Sequence, residues 1–468
     1  MSGVVTSLTT MSMAAIATNG KVKGGGAYYM ISRALGPEIG GTIGALFFLG
    51  LSVAISLYVI GFCEVLVDNL KVCPNVWEAG VLSGCDENLT ILTLTGSKLN
   101  DIRCWGVMLV TFILIMAMFG TGWVIQVQKY LMVLLTCTII SVCIGAFVNF
   151  DIDKDRANGF LGPNSEVYEI MNGTATAIAG TSNFLANLGS SYTPQLVGGE
   201  MKEYGFFSVF AIFFPAVTGI MAGANISGML KDPARNIVDG TFLSVGISTV
   251  VYCVMSVIIG ATCSRVALLN DNFIMMKVEL VKDYTSGLGF LVLFGVYAAT
   301  FSSALASIVG APQMLFSVAI DRILPLDFFS TTHKATWKCC RIGCCNKNVL
   351  FGCYERVNSS TDEETGKPIF TMAETGKIEK EGSDPVFAYF VSFAVAVACV
   401  LIGDMNMIAP MIAMFFMMTY GLLNFACFAL SYYETPGWRP KFVYFRWWLA
   451  LAGALLCLGS FKIEKLNM

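Results

Sequence analysis

The chain has 468 residues, of which 56% are hydrophobic and only 13% are charged, and its mean hydropathy is +0.69. Soluble domains carry roughly 25% charged residues, so this composition excludes a soluble globular protein and indicates a polytopic membrane protein. The formal net charge of −3 gives no indication of a nucleic-acid partner, and we expect none. With one histidine and no nucleophile–base motif or phosphate-binding loop, we do not expect an enzyme.

Ten apolar segments are candidates for helices that cross the bilayer. In chain order they lie near residues 1–18, 39–66, 105–122, 128–149, 206–223, 241–262, 287–307, 386–403, 407–431 and 442–461. They predict an all-α membrane protein with a transmembrane core at 1–324, a polar cytoplasmic insertion at 325–385 and further spans at 386–468.

Lys and Arg are more frequent in every second loop, as at Lys231, Arg235 and the basic stretch 334–356. Basic loops mark the cytoplasmic side of a membrane protein, so this bias orients the chain with Met1 outside. In that orientation Asn88 and Asn172 begin extracellular Asn-X-Thr sequences. Both are therefore candidates for N-glycosylation.

The polar insertion contains the run KCCRIGCCNKN, which includes Cys339, Cys340, Cys344 and Cys345. Structural zinc sites commonly space their cysteines as C-x2-C, and this run does not. Palmitoylation of cysteines next to the membrane or a reduced loop without ligands fits the run better. We therefore expect no structural metal site in this segment.

The most informative segment is 210–228, FAIFFPAVTGIMAGANISG, in which Pro215, Gly219 and Gly223 interrupt an apolar run. Proline removes a main-chain donor and glycine lowers helix stability. Within a bilayer, an unwound backbone is tolerated where it lines a cavity inside the protein, and broken helices of this kind form midplane ion sites in secondary transporters. The segment predicts such a site, and a kinked structural helix is the alternative.

Several motifs together carry a family resemblance. The stretches concerned are ATNGKVKGGGAYYMISRALGPEIGG (17–41), FFSVFAIFFPAVTGIMAGANISG (206–228), SSALAS (302–307) and TPGWRP (435–440). With these motifs the chain resembles the cation–chloride cotransporters (solute carrier family 12), and most of all their sodium–potassium–chloride branch. The resemblance implies the inverted-repeat, LeuT-like fold of amino acid permeases, a plasma-membrane location, a role in cell volume regulation and a homodimer in the full-length form.

The resemblance also implies two cation sites built from oxygen atoms. The positions that match the potassium ligands are Tyr58, Pro215 (through its carbonyl) and Thr218. The positions that match the sodium ligands are Ala299 (through its carbonyl), Ser302 and Ser303. Adjacent serines on a regular helix point about 100° apart, so hydrogen bonding between helices is an alternative role for this pair.

For chloride, the resemblance implies a site made by main-chain amides and one hydroxyl. The matching positions are the amides of Gly219, Ile220 and Met221, with the side chain of Tyr420. Amides that unwinding sets free at the start of a half-helix can bind an anion without a buried lysine or arginine. The alternative for Tyr420 is a tyrosine that only bonds to a neighbouring helix.

These residues together favour electroneutral symport of one sodium, one potassium and two chloride ions, with no cofactor and with the ions and the lipid bilayer as partners. Ser302 and Ser303 imply sodium coupling, and Tyr58 implies potassium. The motifs correspond to family spans 2 to 11, so we expect the chain as written, without the first span, not to transport alone. An amino-acid or polyamine permease on the same fold, and a non-transporting partner subunit of a full-length cotransporter, remain alternatives.

Overall fold

The computed structural model describes several long stretches of the chain and a few shorter pieces. The described residues are 1–19, 28, 32, 36–69, 97–147, 166–171, 174–182, 184, 187–188, 195–197, 200–202, 205–225, 232–265, 268, 290–320, 386–435 and 438–467. The two glycosylation candidates, Asn88 and Asn172, lie outside these residues, as does the Cys-rich insertion 325–385.

Helices account for most of the described chain, as the composition predicts. Their bounds are α1 Ser2–Thr18, α2 Pro37–Asn69, α3 Lys98–Met118, α4 Thr121–Gly145, α5 Phe206–Phe213, α6 Ala222–Asn225, α7 Pro233–Thr262, α8 Phe290–Ile320, α9 Val386–Val400, α10 Met405–Tyr432 and α11 Trp447–Asn467. Each predicted apolar segment overlaps one of these helices, except that the segment near 105–122 runs from α3 into the start of α4 and the segment near 206–223 is divided between α5 and α6.

Six helices in the described ranges are long and apolar enough to cross a membrane. The spans are Glu38–Val67, Lys98–Met118, Thr121–Gly145, Pro233–Thr262, Phe290–Ala319 and Met405–Tyr432. Two shorter apolar helices, Val386–Val400 and Trp447–Ser460, accompany them. These helices confirm the prediction of an integral membrane protein with a helical fold.

Two short antiparallel hairpins lie between α4 and α5, in addition to the predicted helices. Strand β1 (Glu166–Met171) pairs with β2 (Thr174–Ser182), and β3 (Gln195–Val197) pairs with β4 (Glu200–Lys202). The start of β2, TATAI, alternates threonine with apolar residues, which is the period of a strand. The apolar spans dominate the hydropathy pattern, so this short alternation was overlooked.

The centre of the fold is α2, which packs against α3, α8, α9 and α10. Its residues Ile55, Ile60 and Ser56 are fully buried. In contrast, α7 exposes the apolar side chains of Leu243 and Val250. Exposed apolar side chains on a spanning helix suit contact with lipid, so the core lies around α2 and α7 lies at the edge.

Small residues let some of these helices approach closely. Gly106 of α3 faces Val400 of α9, and Gly295 of α8 faces Thr138 of α4. The hydroxyl of Thr138 donates to the carbonyl of Leu291 at 3.0 Å, which ties α4 to α8. Close contacts at small residues are the usual means of packing helices in a membrane, where the hydrophobic effect does not hold them together.

Candidate ion site at the broken helix

The predicted break is present between α5 and α6. Helix α5 ends at Phe213, the residues Phe214–Val217 form a 3-10 turn, and Thr218 is extended with φ −77° and ψ 172°. Gly219 follows with φ +94°, a left-handed conformation that costs other residues roughly 1–2 kcal/mol. The helix then resumes at Ala222. The glycine therefore allows the chain to turn out of one helix and into the next.

At the break, side-chain hydroxyls replace the helical partners of two carbonyls. The carbonyl of Pro215 accepts from the hydroxyl of Thr218 at 2.7 Å, and that of Ala216 accepts from the hydroxyl of Tyr252 at 2.9 Å. The amide of Gly219 donates to the hydroxyl of Tyr420 at 3.3 Å. In the part of the chain that the structure describes, the next amide, that of Ile220, donates to no main-chain acceptor.

Three tyrosines from three helices surround the break, and we call them the tyrosine collar: Tyr58 of α2, Tyr252 of α7 and Tyr420 of α10. The hydroxyl of Tyr58 interacts with the side chain of Thr218, and Tyr252 and Tyr420 make the bonds given above. The three hydroxyls thus contact residues 216–219. Since a buried tyrosine hydroxyl usually finds a partner, the break provides the partners that these membrane tyrosines need.

Tyr420 is held rigidly. It is fully buried, and its ring packs against Phe214 with centroids 6.3 Å apart and against Phe416 with centroids 5.8 Å apart. Its hydroxyl also interacts with the amide of Ile220. The residues matched to chloride binding are therefore close together in space, although Tyr420 is far from the break in sequence.

The residues matched to potassium binding also meet at the break. Tyr58 reaches Thr218, and Thr218 in turn donates to the carbonyl of Pro215. Three oxygen atoms, two from hydroxyls and one from the main chain, thus lie in a continuous chain of contacts. The potassium and chloride positions share residues 215–221, so the structure places the two predicted sites side by side.

The residues matched to sodium binding are only partly joined. The hydroxyl of Ser302 donates to the carbonyl of Ala299 at 3.1 Å, within the continuous helix α8. The side-chain amide of Gln128, on α4, donates to the carbonyl of Ser302 at 3.4 Å. Within the described residues the side chain of Ser303 makes no hydrogen bond. The structure therefore brings Ser302 to Ala299 and adds Gln128, but it does not join Ser303 to either.

A cavity of about 330 Å³ lies between α1, the break and α7. Hydroxyl-bearing residues from α1 and α7 line it together with the main chain of the break. They are Thr6, Thr241, Ser244, Ser248, Thr249 and Tyr252. A second cavity, of about 540 Å³, adjoins it and is walled by apolar residues such as Phe206, Phe213 and Val257. Tyr252 lines both cavities, so it stands between a polar and an apolar space.

Tyr252 is the residue of the collar that sequence reasoning missed. It stands alone in the apolar run VVYCV, with no turn residue or motif beside it. A hydroxyl in the middle of an apolar span must find an acceptor within the protein, and this is the signal that could have found it.

Comparison with known proteins places the chain in a family. The family model described as amino acid permease matches residues 1–336 and 371–463. Solute carrier family 12 member 1 of Mus musculus and of Homo sapiens are each 34% identical over 488 residues, covering 98% of this chain and 36% of theirs. Solute carrier family 12 member 2 of Danio rerio is 33% identical over 491 residues, covering 98% of this chain and 35% of its own.

The chain thus spans about a third of the length of the curated relatives it matches. These relatives confirm the resemblance to the cation–chloride cotransporters that the motifs indicated, and the comparisons are with transporters rather than enzymes. The chain belongs to the amino acid permease family, and the curated relatives described here are members of solute carrier family 12.

Proposed function

We propose that this chain carries the ion-binding core of a symporter that moves sodium, potassium and chloride together, in the ratio one to one to two. The observation that supports the proposal is the meeting of Tyr58, Thr218, Gly219 and Tyr420 at one break in a membrane helix. Oxygen atoms for a cation and main-chain amides for an anion are offered there within a few residues of each other.

The potassium site uses Tyr58, Pro215 and Thr218. A cation that leaves water needs oxygen ligands, and the oxygen atoms of Thr218 and Pro215 lie 2.7 Å apart. When the ion binds, the Thr218 hydroxyl turns from donating to Pro215 to facing the ion with its lone pairs. Both oxygen atoms and the Tyr58 hydroxyl then replace part of the hydration shell.

The chloride site uses the amides of Gly219, Ile220 and Met221 with the hydroxyl of Tyr420. Without an ion, this hydroxyl accepts from Gly219. An arriving chloride takes over as the acceptor for the amides, and the hydroxyl rotates to donate to it. Successive amides at a turn form a concave site for anions without any cationic side chain.

The closeness of the two sites gives a physical reason for coupled transport. An unpaired ion in a low-dielectric interior carries a large desolvation cost, and an opposite charge a few ångströms away offsets much of that cost. Potassium and chloride at adjacent positions of residues 215–221 would therefore stabilise each other. Each ion binds weakly alone, so a half-filled pair of sites seldom carries a single ion across the membrane.

The sodium site uses Ala299, Ser302 and Ser303 on α8. Gln128 supports it from α4 by its bond to the carbonyl of Ser302. Sodium coupling, the one-to-one-to-two stoichiometry, a plasma-membrane location and homodimeric assembly all belong to this proposal through the family resemblance. Surface biotinylation and crosslinking in cells test the location and the assembly.

Uptake of rubidium-86, a substitute for potassium, tests the central proposal in cells that express this chain behind the first span of a solute carrier family 12 member, because we expect the chain as written not to transport alone. We expect the uptake to need sodium and to collapse when gluconate replaces chloride. Uptake of an amino acid or a polyamine that persists in gluconate would instead support a permease, the second candidate, which the amino acid permease match favours. Absence of any uptake, together with co-purification with a full-length cotransporter and altered flux through it, would support a partner subunit.

A further inference from the structure

We propose that Tyr252 is a positioning residue that keeps the helix break open, because its hydroxyl replaces the amide of Ile220 at a main-chain carbonyl and leaves that amide, beside the Tyr420 hydroxyl, available to an anion. This inference rests on the proposed chloride site. It assigns a role to α7, which holds none of the residues that the family resemblance places at the ions.

The break separates one pair of main-chain groups that a continuous helix would join. In a continuous α-helix, each carbonyl accepts from the amide four residues later, so the partner of the Ala216 carbonyl would be the amide of Ile220. In the structure that carbonyl accepts from the Tyr252 hydroxyl at 2.9 Å. The Ile220 amide has no main-chain acceptor among the described residues. Tyr252 therefore substitutes for the amide that the chloride site requires.

The same exchange takes place one residue earlier, which shows that the arrangement is systematic. The helical partner of the Pro215 carbonyl would be the amide of Gly219. That carbonyl instead accepts from the Thr218 hydroxyl at 2.7 Å and from the Thr218 amide at 3.3 Å, and the Gly219 amide donates to Tyr420 at 3.3 Å. Two consecutive helical hydrogen bonds are thus absent, and a hydroxyl group bonds to each of the two carbonyls.

The two replacements differ in their origin. Thr218 lies within the break and moves with it, whereas Tyr252 is anchored on another helix. Its ring packs edge-on against Phe213, with centroids 5.5 Å apart and planes at 75°. A shift of α7 away from the break would withdraw the hydroxyl, and Ala216 and Ile220 would then be free to bond to each other. The position of α7 thereby controls whether the Ile220 amide is available to chloride.

The test removes the hydroxyl and keeps the ring, in the variant Tyr252→Phe of the full chain. The melting temperature of the purified chain is measured at increasing chloride concentrations, with gluconate as the anion that chloride replaces. We expect the half-saturating chloride concentration to rise about fivefold, which corresponds to about 1 kcal/mol. Hydrogen exchange of the peptide that covers 214–225 should become slower, because the Ile220 amide regains its helical acceptor.

Whether hydrogen exchange of this peptide becomes slower or faster distinguishes this role from a merely structural one. Loss of a packing contact would loosen the segment and make its exchange faster, with a lower melting temperature and an unchanged chloride titration. The matched control is Ser256→Ala, one turn further along α7, whose hydroxyl donates only to the carbonyl of Tyr252 at 2.7 Å. Ser256→Ala should have the same half-saturating chloride concentration as the unmodified chain.

A second variant, Tyr420→Phe, separates failure of the inference from failure of the proposed function. Suppose that Tyr420→Phe weakens the chloride response. If Tyr252→Phe then leaves the chloride response unchanged, or makes hydrogen exchange of the segment faster, the role of Tyr252 is refuted and the chloride site stands. If chloride does not stabilise the unmodified chain at all, the site and the inference fall together. A weaker response in both variants, with slower exchange in Tyr252→Phe, supports both.

Discussion

The amide nitrogen of Gly219 lies 3.3 Å from the hydroxyl oxygen of Tyr420, which follows it by 201 positions in the chain, and donates a hydrogen bond to it. The bond depends on the left-handed conformation of Gly219, φ +94°, which turns its amide out of the helix direction. It also depends on Tyr420, which is wholly buried and fixed by Phe214 and Phe416. The relationship joins the broken helix to α10 at the position proposed for chloride.

Replacement of Tyr420 by phenylalanine should weaken chloride binding and leave the fold intact. The aromatic packing remains, and only the hydroxyl that we propose donates to the anion is lost. A hydrogen bond to a charged group contributes about 1.5–3 kcal/mol, so the half-saturating chloride concentration should rise by about tenfold or more. Chloride-dependent rubidium-86 uptake and chloride-dependent melting measure this change.

A tyrosine at the end of the same helix provides the control for this variant. Tyr433 is 75% exposed, so Tyr433→Phe should leave the chloride titration unchanged. If Tyr420→Phe titrates like Tyr433→Phe, the Tyr420 hydroxyl has no part in anion binding, and its bond to Gly219 serves only to join two helices.

Replacement of Tyr58 by phenylalanine should act on potassium. The hydroxyl that interacts with Thr218 disappears, and the proposed potassium site loses one of its three proposed oxygen ligands. We expect the half-saturating rubidium concentration to rise by about fivefold or more, in line with the loss of roughly 1 kcal/mol or more per hydroxyl ligand. The change should be larger for rubidium than for sodium in the same uptake assay.

Tyr297 of α8, which like Tyr58 is half-buried, provides the control for Tyr58→Phe. It packs against Phe62, with ring centroids 4.5 Å apart. The variant Tyr297→Phe should leave rubidium dependence unchanged. Equal effects of Tyr58→Phe and Tyr297→Phe on rubidium would mean that general loss of stability, and not loss of a ligand, lowers the uptake.

The sequence predicts the break itself because its cause is local. Pro215 and Gly219 stand within a few residues of each other in an apolar run. Proline disfavours a continuous helix because it lacks an amide donor and its ring clashes with the preceding turn, and glycine because it loses more conformational entropy in a helix. The helical class follows equally from the long apolar segments. These features need no knowledge of what lies beside them in space.

The collar could not be derived in the same way, because its contacts join residues that are distant in the chain. Tyr58 and Tyr420 were identified through a family resemblance, and nothing in their neighbouring residues points to Thr218 or Gly219. Tyr252 was missed altogether, although its bond to Ala216 spans only 36 positions. The packing of α2, α7 and α10 around the break decides these contacts, and hydropathy alone does not specify it.

Alanine substitution of the two serines of α8 should separate sodium binding from helix packing. The Ser302 hydroxyl already donates to the Ala299 carbonyl at 3.1 Å, so its loss also releases that carbonyl. The side chain of Ser303 makes no hydrogen bond within the described residues, and Ser303→Ala therefore removes a proposed ion ligand with little other change. Both variants should raise the half-saturating sodium concentration, by about fivefold for one lost ligand.

Another serine of the same helix tests whether this effect is specific. The hydroxyl of Ser317 donates to the Gln313 carbonyl of its own helix at 2.8 Å, and Ser317→Ala should leave the sodium dependence of uptake unchanged. A lower melting temperature in Ser303→Ala without any change in sodium dependence would show that Ser303 packs helices and does not bind the ion.

The contact between Gly106 of α3 and Val400 of α9 makes a prediction about stability that is independent of ion binding. A methyl group on Gly106 would lie 2.6 Å from Cγ1 of Val400, which is fully buried. Overpacking of this kind costs about 1–3 kcal/mol, so Gly106→Ala should lower the melting temperature in detergent. Val400→Ala removes the obstructing carbon and leaves Val59 as the nearest neighbour at 3.7 Å. The double variant should therefore be less destabilised than the sum of the single variants, which is the sign of a direct contact.

Gly122→Ala, where no atom lies within 4 Å of the added methyl, should show no loss of stability. Strict additivity in the pair would mean that α3 and α9 do not pack through these two residues.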